Sequence, residues 1–251
     1  MAKKNKHPRG EMPFLDHLEE LRRSILWSLA AIVVGTIIGF VLVQNFDIVG
    51  LLKEPIAPYL PTGKLNVTSP TDAFFVTLKL ALMVGLVLSA PVVIAQVWGF
   101  LSPALYEHEK RYVTPFLIGA LGLFIAGVLM AYLWVLPVAL RILLTKFQAD
   151  YLEYIITAKE YFAFASQLIV AFGLMFEVPV VMVFLSTIGI VSPAAFARQR
   201  PYAVVAASIL AALLTPPDVM SMMMLMIPVV FLYEIGILTG RLVWKKRAAN
   251  T

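Results

Sequence analysis

The sequence predicts an all-α integral membrane protein, on the evidence of its composition, its long apolar runs and the position of its basic residues. Hydrophobic residues make up 61% of the 251-residue chain and charged residues only 14%, whereas a soluble domain carries about 25% charged residues. One soluble core of this size cannot bury so much apolar surface. The chain also has no cysteine, which excludes disulfide bonds, redox dithiols and cysteine-bound zinc.

Six apolar runs predict six transmembrane helices, since about 20 apolar residues cross the hydrocarbon core. The first four are Ser24–Phe46, Leu80–Tyr106, Tyr112–Leu140 and a span within Tyr161–Gln199. The last two, Tyr202–Thr215 and Val219–Tyr233, are short and are separated by two prolines and an aspartate. Proline cannot continue a helix and aspartate can cap the next one, so we predict a hairpin of two short helices rather than one broken helix.

The basic residues indicate the topology of the six helices. An even number of spans places both termini on one side, where 14 of the 20 Lys and Arg residues lie, against six on the other side. The positive-inside rule therefore predicts cytoplasmic termini, and we expect no removable signal peptide.

The expected organisation is one domain, with a cytoplasmic tail and amphipathic helix in 1–23, a six-helix bundle in 24–240 and a basic cytoplasmic tail in 241–251. The net charge is +5, and the basic residues lie at the edges of apolar runs. This distribution favours a membrane rather than nucleic acid as the binding partner.

The first predicted outside loop, 47–79, is long and contains four prolines. A loop of this length in a compact protein usually has short elements of its own or a function. We therefore expect a rigid extracytoplasmic cap.

Two charged segments lie on the predicted cytoplasmic side. Apolar residues at helical spacing in 14–21 predict an amphipathic helix on the membrane surface, with Glu19 and Glu20 on it. The second segment, 100–111, combines a Ser-Pro helix break with a cluster of acidic and basic residues. From the pattern alone, the simplest interpretation of these acidic residues is that they balance neighbouring basic residues, the lipid surface or water.

Glu177 lies near the middle of the fourth predicted span, two residues before Pro179. A charged side chain at the bilayer centre costs at least about 2.5 kcal/mol on insertion scales, so this carboxyl group should face protein or water. Two interpretations stay open. Either a protonated Glu177 bonds to the Met175 carbonyl group that Pro179 leaves free, or it is a functional intramembrane group.

Four stretches, in order between about residue 14 and residue 241, resemble the TatC family, the multispanning core component of the twin-arginine protein translocase. They are Phe14-Leu-x-His-Leu-x-Glu-Leu-Arg22, Ser89-Ala-Pro-Val with Gln96-Val-Trp-x-Phe100-x-x-Pro-Ala-Leu-Tyr-x-His-Glu-Lys-Arg111, Phe172-Gly-x-x-Phe-Glu-x-Pro179, and Leu214-Thr-Pro-Pro-Asp218. The resemblance implies a concave helix bundle that binds the twin-arginine signal peptides of folded proteins. It implies that the chain supports their export across a bacterial or archaeal cytoplasmic (inner) membrane, driven by the proton gradient.

The resemblance also implies a signal-peptide-binding surface. Glu20 and Glu109 match the family positions that recognise the arginine pair, because a carboxylate accepts a planar guanidinium group through two hydrogen bonds and a lysine cannot reproduce this geometry. The other residues of the implied surface are Phe100, Leu105, Tyr106, Lys110 and Arg111.

A second implied surface binds partner helices inside the membrane. Glu177 matches an intramembrane Glu on the concave face, opposite the single-span partners TatA and TatB, and the receptor complex is expected to self-associate. The other residues of this implied surface are Pro179, Thr215, Asp218 and Met222. Met222 departs from the family, which often has a polar residue at this position.

The alternative function is a proton-coupled secondary transporter that uses Glu177. Such a protein needs further polar groups at mid-membrane depth, and here only Gln167 and a few Ser and Thr residues are present. An intramembrane protease is disfavoured because all three histidines lie outside the predicted spans. We therefore predict a binding and translocation component that is not an enzyme and needs no cofactor, with the lipid bilayer as its surroundings.

Overall fold

The structure is a computed structural model, and it describes residues 14–60, 62–101, 113–146, 155–214 and 219–248. Within these ranges the chain is almost entirely helical. The α-helices are α1 (Phe14–Asn45), α2 (Ile48–Lys53), α3 (Pro70–Leu101), α4 (Val113–Met130), α5 (Leu136–Arg141), α6 (Ala158–Met175), α7 (Val178–Thr187), α8 (Pro193–Arg198), α9 (Arg200–Leu214) and α10 (Val219–Ala248). Two π-helical turns, Ala131–Val135 and Ile142–Lys146, extend the third predicted span around and beyond α5.

The described helices confirm the predicted all-α membrane class. Five stretches are long and apolar enough to cross a membrane, namely His17–Asn45, Pro70–Phe100, Thr114–Thr145, Ala158–Thr187 and Met222–Trp244. The shorter apolar helix α9 has 15 residues, or about 22 Å of helix. It corresponds to the fifth predicted span.

Three helices are longer than the sequence predicts. The predicted surface helix and the first span are one helix, α1, because no residue between them breaks it. The helix of the second span, α3, begins at Pro70, so the predicted loop 47–79 ends ten residues earlier than expected. The prediction that the last helix is short is wrong, since α10 has 30 residues and continues past Glu234 to Ala248. A charged side chain changes the hydropathy of a segment but does not interrupt its backbone hydrogen bonds.

Helices α1 and α3 pack so closely that their backbones touch. A Cβ atom at Gly35 would lie 2.6 Å from the carbonyl oxygen of Gly85, and one at Gly39 would lie 2.5 Å from that of Ala81. Small residues four positions apart allow helices in membranes to approach in this way. The contact matters for function because α1 and α3 also form the two walls of the groove described below.

The segment 47–69, called the cap here, covers one end of the bundle. Ile56 in the cap is only 1% exposed. The Tyr161 hydroxyl group donates a hydrogen bond to the Leu52 carbonyl oxygen, and the Tyr132 hydroxyl group donates one to Leu51 at 2.7 Å. Two hydroxyl groups of the bundle thus bind the cap at adjacent backbone carbonyl groups.

Two hydrophobic clusters connect the helices. The main cluster lies around α6, where Phe162 and Phe172 are fully buried. In the second cluster the Trp98 ring stacks on Phe116 with centroids 5.2 Å apart, and meets the edge of Phe184 at 4.8 Å. This second cluster fastens the end of α3 to the start of α4 and to α7.

Polar contacts fix the short helix α9 at both of its ends. At its first residue, the Arg200 guanidinium group donates two hydrogen bonds, of 2.5 and 2.8 Å, to the Glu234 carboxylate of α10. Near its last residue, the Gln167 amide of α6 donates to the Leu213 carbonyl oxygen at 3.2 Å. The ion pair explains how α10 carries Glu234 within a membrane-length helix.

Candidate functional site

A groove of about 730 Å³ lies between the first turns of α1 and the last turns of α3. On α1, Glu20, Ser24 and Trp27 are three or four residues apart and therefore share one helix face. On α3, Gln96 and Gly99 face them across the groove. The full lining consists of Glu19, Glu20, Arg23, Ser24, Trp27, Gln96 and Gly99.

Glu20 is the chemically distinctive group of this groove. Its Oε2 atom is buried and has no hydrogen-bond partner among the described residues. A buried oxygen without a partner costs about 1–3 kcal/mol, and more if the group is charged. An incoming donor that reaches Oε2 removes this cost, so the carboxylate is suited to a cationic ligand with several N–H groups.

A stacked pair of rings lies beside Glu20. The rings of His17 and Phe100 are 4.5 Å apart and inclined by only 17°. Phe100, a predicted site residue, is therefore placed next to the α1 segment that carries Glu20. The sequence pattern did not identify His17, Gln96 or Gly99 as part of this site, because their proximity depends on how α1 and α3 pack.

The remaining predicted signal-peptide residues, Leu105, Tyr106, Glu109, Lys110 and Arg111, lie outside the described residues. The segment that carries them joins the end of α3 at Leu101 to the start of α4 at Val113. It therefore begins two residues after Phe100, whose ring stacks on His17. That Glu20 and Glu109 act together on one arginine pair stays a prediction.

The second candidate group, Glu177, lies at a break between two helices. Helix α6 ends at Met175 and α7 begins at Val178, with Pro179 in its first turn. The break is a tight turn in which the Glu177 N–H group donates to the Leu174 carbonyl oxygen at 3.1 Å. The Oε1 atom of Glu177 is buried without a hydrogen-bond partner among the described residues, so its capacity to form a hydrogen bond is unused there.

Of the other residues predicted to bind partner helices, two lie within the described residues and two do not. Pro179 is buried at the helix break, which gives it a role in shaping the turn. Met222 is half-buried and packs against the main cluster, so it presents only part of its side chain. Thr215 and Asp218 lie outside the described residues.

Comparison with known proteins gives one consistent result. A family model described as Sec-independent protein translocase protein (TatC) matches residues 16–228. The chain is 38% identical over 237 residues to the Sec-independent protein translocase protein TatC of Aquifex aeolicus, covering 94% of this chain and 98% of that one. It is 40% identical over 230 residues to the protein of the same name from Escherichia coli, covering 91% and 88% of the two chains. A crystal structure of the twin-arginine translocase receptor TatC superposes with a TM-score of 0.82 at 37% identity, covering 90% of this chain and 99% of that one.

Proposed function

Because the chain belongs to the TatC family of Sec-independent protein translocase proteins, we propose that the groove at Glu20 binds the arginine pair of a signal peptide. The chain is a multi-pass membrane protein of a translocase family that is not enzymatic. Its task is then to bind a cargo signal and to support the passage of the folded cargo. The comparisons give no support to the alternative of a proton-coupled transporter.

The observation that carries this proposal is the unpartnered, buried carboxylate oxygen of Glu20 in an open groove. Arginine presents a rigid, planar set of N–H donors that can satisfy both oxygens of one carboxylate, and this pairing is stronger than a hydrogen bond between neutral groups. Lysine offers a single point charge and cannot bond both oxygens in the same plane. The groove therefore selects arginine by geometry as well as by charge.

A second carboxylate is needed to bind the second arginine, and we propose Glu109 for this role. Its segment starts next to the stacked rings of His17 and Phe100, and the segment's apolar residues Leu105 and Tyr106 would contact the apolar part of the signal. Lys110 and Arg111 would form the polar edge of the surface that binds the signal peptide. Two carboxylates on separate segments can bind two adjacent guanidinium groups without competing for one of them.

We further propose that Glu177 recruits single-span TatA- and TatB-like partners. Its buried Oε1 lacks a hydrogen bond, and a polar group from a neighbouring membrane helix would satisfy it. In this proposal Pro179 shapes the turn that carries Glu177. Around Glu177, the partner helix also contacts Thr215, Asp218 and Met222. Self-association of the receptor complex belongs to the proposal as well.

For the topology we propose six spans, including α9, with both termini in the cytoplasm of a bacterium or archaeon. The groove at Glu20 then opens on the cytoplasmic side, where signal peptides arrive, and the cap lies on the opposite side. The excess of Lys and Arg on the side of the termini, 14 against six, supports this orientation.

The proposal is tested by measuring the affinity of the purified protein for a twin-arginine signal peptide and for its twin-lysine analogue. In the Glu20→Gln variant, we expect the twin-arginine peptide to bind at least about thirtyfold more weakly, since truncating one partner of a buried, hydrogen-bonded charge pair costs about 2–5 kcal/mol. Its preference for arginine over lysine should largely disappear. Glu109→Gln should have the same effects.

Glu160→Gln is the matched control, because Glu160 is an exposed carboxylate in the first turn of α6, at the cap end of the bundle. We expect this variant to bind the twin-arginine peptide normally. Wild-type affinity in Glu20→Gln, or equal loss in the control, would show that Glu20 does not recognise the arginine pair.

A further inference from the structure

A second, smaller groove of about 390 Å³ lies near the cap, between α3 and the start of α6. Its α3 wall consists of Phe75, Leu78 and Leu82, which follow one another on one helix face and are 52%, 43% and 45% exposed. Val76 and Phe162 are buried beneath them. The groove is thus a largely apolar channel on the exposed surface of the bundle.

Two lysines, Lys79 and Lys159, line this apolar groove. Lys159 forms an ion pair with Asp72, with Nζ and Oδ1 3.4 Å apart. Asp72 is nearly buried and is itself held by the Ser69 N–H group at 3.0 Å. Among the described residues, Lys79 has no carboxylate partner within ion-pair distance. Two lysines therefore line the groove, and Asp72 balances only the charge of Lys159.

The position of Lys79 along α3 places it near the boundary of the hydrocarbon core. Helix α3 has 32 residues, or about 48 Å, while the core is about 30 Å thick. The part of the helix that follows Lys79, from Leu80 to Leu101, measures about 33 Å and carries no charged residue. This part fills the core, so Lys79 lies at the level of the lipid headgroups on the cap side.

We propose that this groove binds one anionic phospholipid of the cap-side leaflet. Its phosphodiester group lies between Lys79 and Lys159 and supplies the negative charge that the groove lacks. One acyl chain runs along Phe75, Leu78 and Leu82. The Asp72 carboxylate holds Lys159 at the groove, so that part of the entropy cost of ordering this lysine is met before the lipid binds. The lipid would fasten α3 to α6 beside the cap.

The test is native mass spectrometry of the full chain, stripped of lipid in detergent and titrated with phosphatidylglycerol or with phosphatidylcholine of the same acyl chains. We expect one phosphatidylglycerol molecule to bind tightly and phosphatidylcholine to bind more weakly. Each basic residue near a membrane surface contributes about 1 kcal/mol to the binding of an anionic lipid, so Lys79→Gln should lower the affinity about fivefold. Lys64→Gln, which removes an exposed lysine of the cap outside the groove, should leave the affinity unchanged.

Two further arms identify the ligand and check the fold. Glycerol phosphate, which has the headgroup charge but no acyl chain, should not displace the bound lipid, and thermal unfolding of lipid-free Lys79→Gln should match that of Lys64→Gln. Equal binding of the two lipids, equal affinities of the two variants, or displacement by glycerol phosphate would overturn the proposal.

Discussion

Replacing Gly85 with alanine tests whether the contact between α1 and α3 holds the groove at Glu20 in shape. A Cβ atom at this position would lie 2.5 Å from the backbone Cα and N atoms of Thr36 on α1. Carbon atoms in contact are normally about 3.5–4.0 Å apart, so the two helices must separate by about 1 Å. The atoms that the methyl group meets are backbone atoms, and no side-chain rotation can relieve the contact.

The expected magnitude follows from comparison with Gly122→Ala in α4. A Cβ atom at Gly122 meets nothing within 4 Å, yet this substitution brings the same gain in helix propensity. The difference in the free energy of unfolding between the two variants therefore measures the cost of forcing α1 and α3 apart. Overpacking of this kind costs about 1–3 kcal/mol. For a chain of this size, each kcal/mol corresponds to about 2–4 °C in the unfolding midpoint.

The assay is thermal unfolding in detergent, combined with crosslinking of a twin-arginine signal peptide to the α1 residues that line the groove around Glu20. We expect Gly85→Ala to unfold about 2–12 °C below Gly122→Ala and to capture less signal peptide, because its groove walls have moved apart. An unfolding midpoint equal to or above that of Gly122→Ala would refute the reasoning, since the close approach of the helices would then be unimportant for stability.

Two further predictions concern Glu177 and the cap. Glu177→Gln should retain much of the export activity, since the amide is nearly the same shape and still forms hydrogen bonds, whereas Glu177→Ala should lose partner recruitment but keep signal-peptide crosslinking. A glutamine variant as inactive in export as the alanine variant, with normal partner binding, would instead favour proton coupling. Tyr161→Phe removes the donor to the Leu52 carbonyl oxygen and should destabilise the cap by about 1–3 kcal/mol, detected as faster hydrogen exchange in residues 48–60. Unchanged exchange there would show that the cap is held by apolar packing alone.

The sequence alone was sufficient for the membrane class, because the ability of a helix to cross a bilayer depends on its own composition. All backbone hydrogen bonds of a membrane helix are formed within that segment, so a long apolar run identifies it without knowledge of its neighbours. The disturbance at Pro179 could be placed from the sequence for the same reason, since proline acts on the residues next to it, but the end of α6 at Met175 and the new start of α7 at Val178 were not predicted. Glu177 was singled out as a carboxylate within an apolar span, whereas Glu20 was singled out only through the resemblance to the TatC family.

The tertiary structure decided what depends on contacts between residues distant in sequence. Arg200 with Glu234, and Lys159 with Asp72, are ion pairs that join different helices, and neither pair could be identified from the spacing of charges along the chain. The groove at Glu20 exists because α1 packs beside α3 and brings Glu20 opposite Gln96 and Gly99. Hydropathy is a property of single residues summed along the chain, whereas an ion pair or a close backbone contact is a property of two surfaces. A single sequence contains no direct record of which surfaces meet.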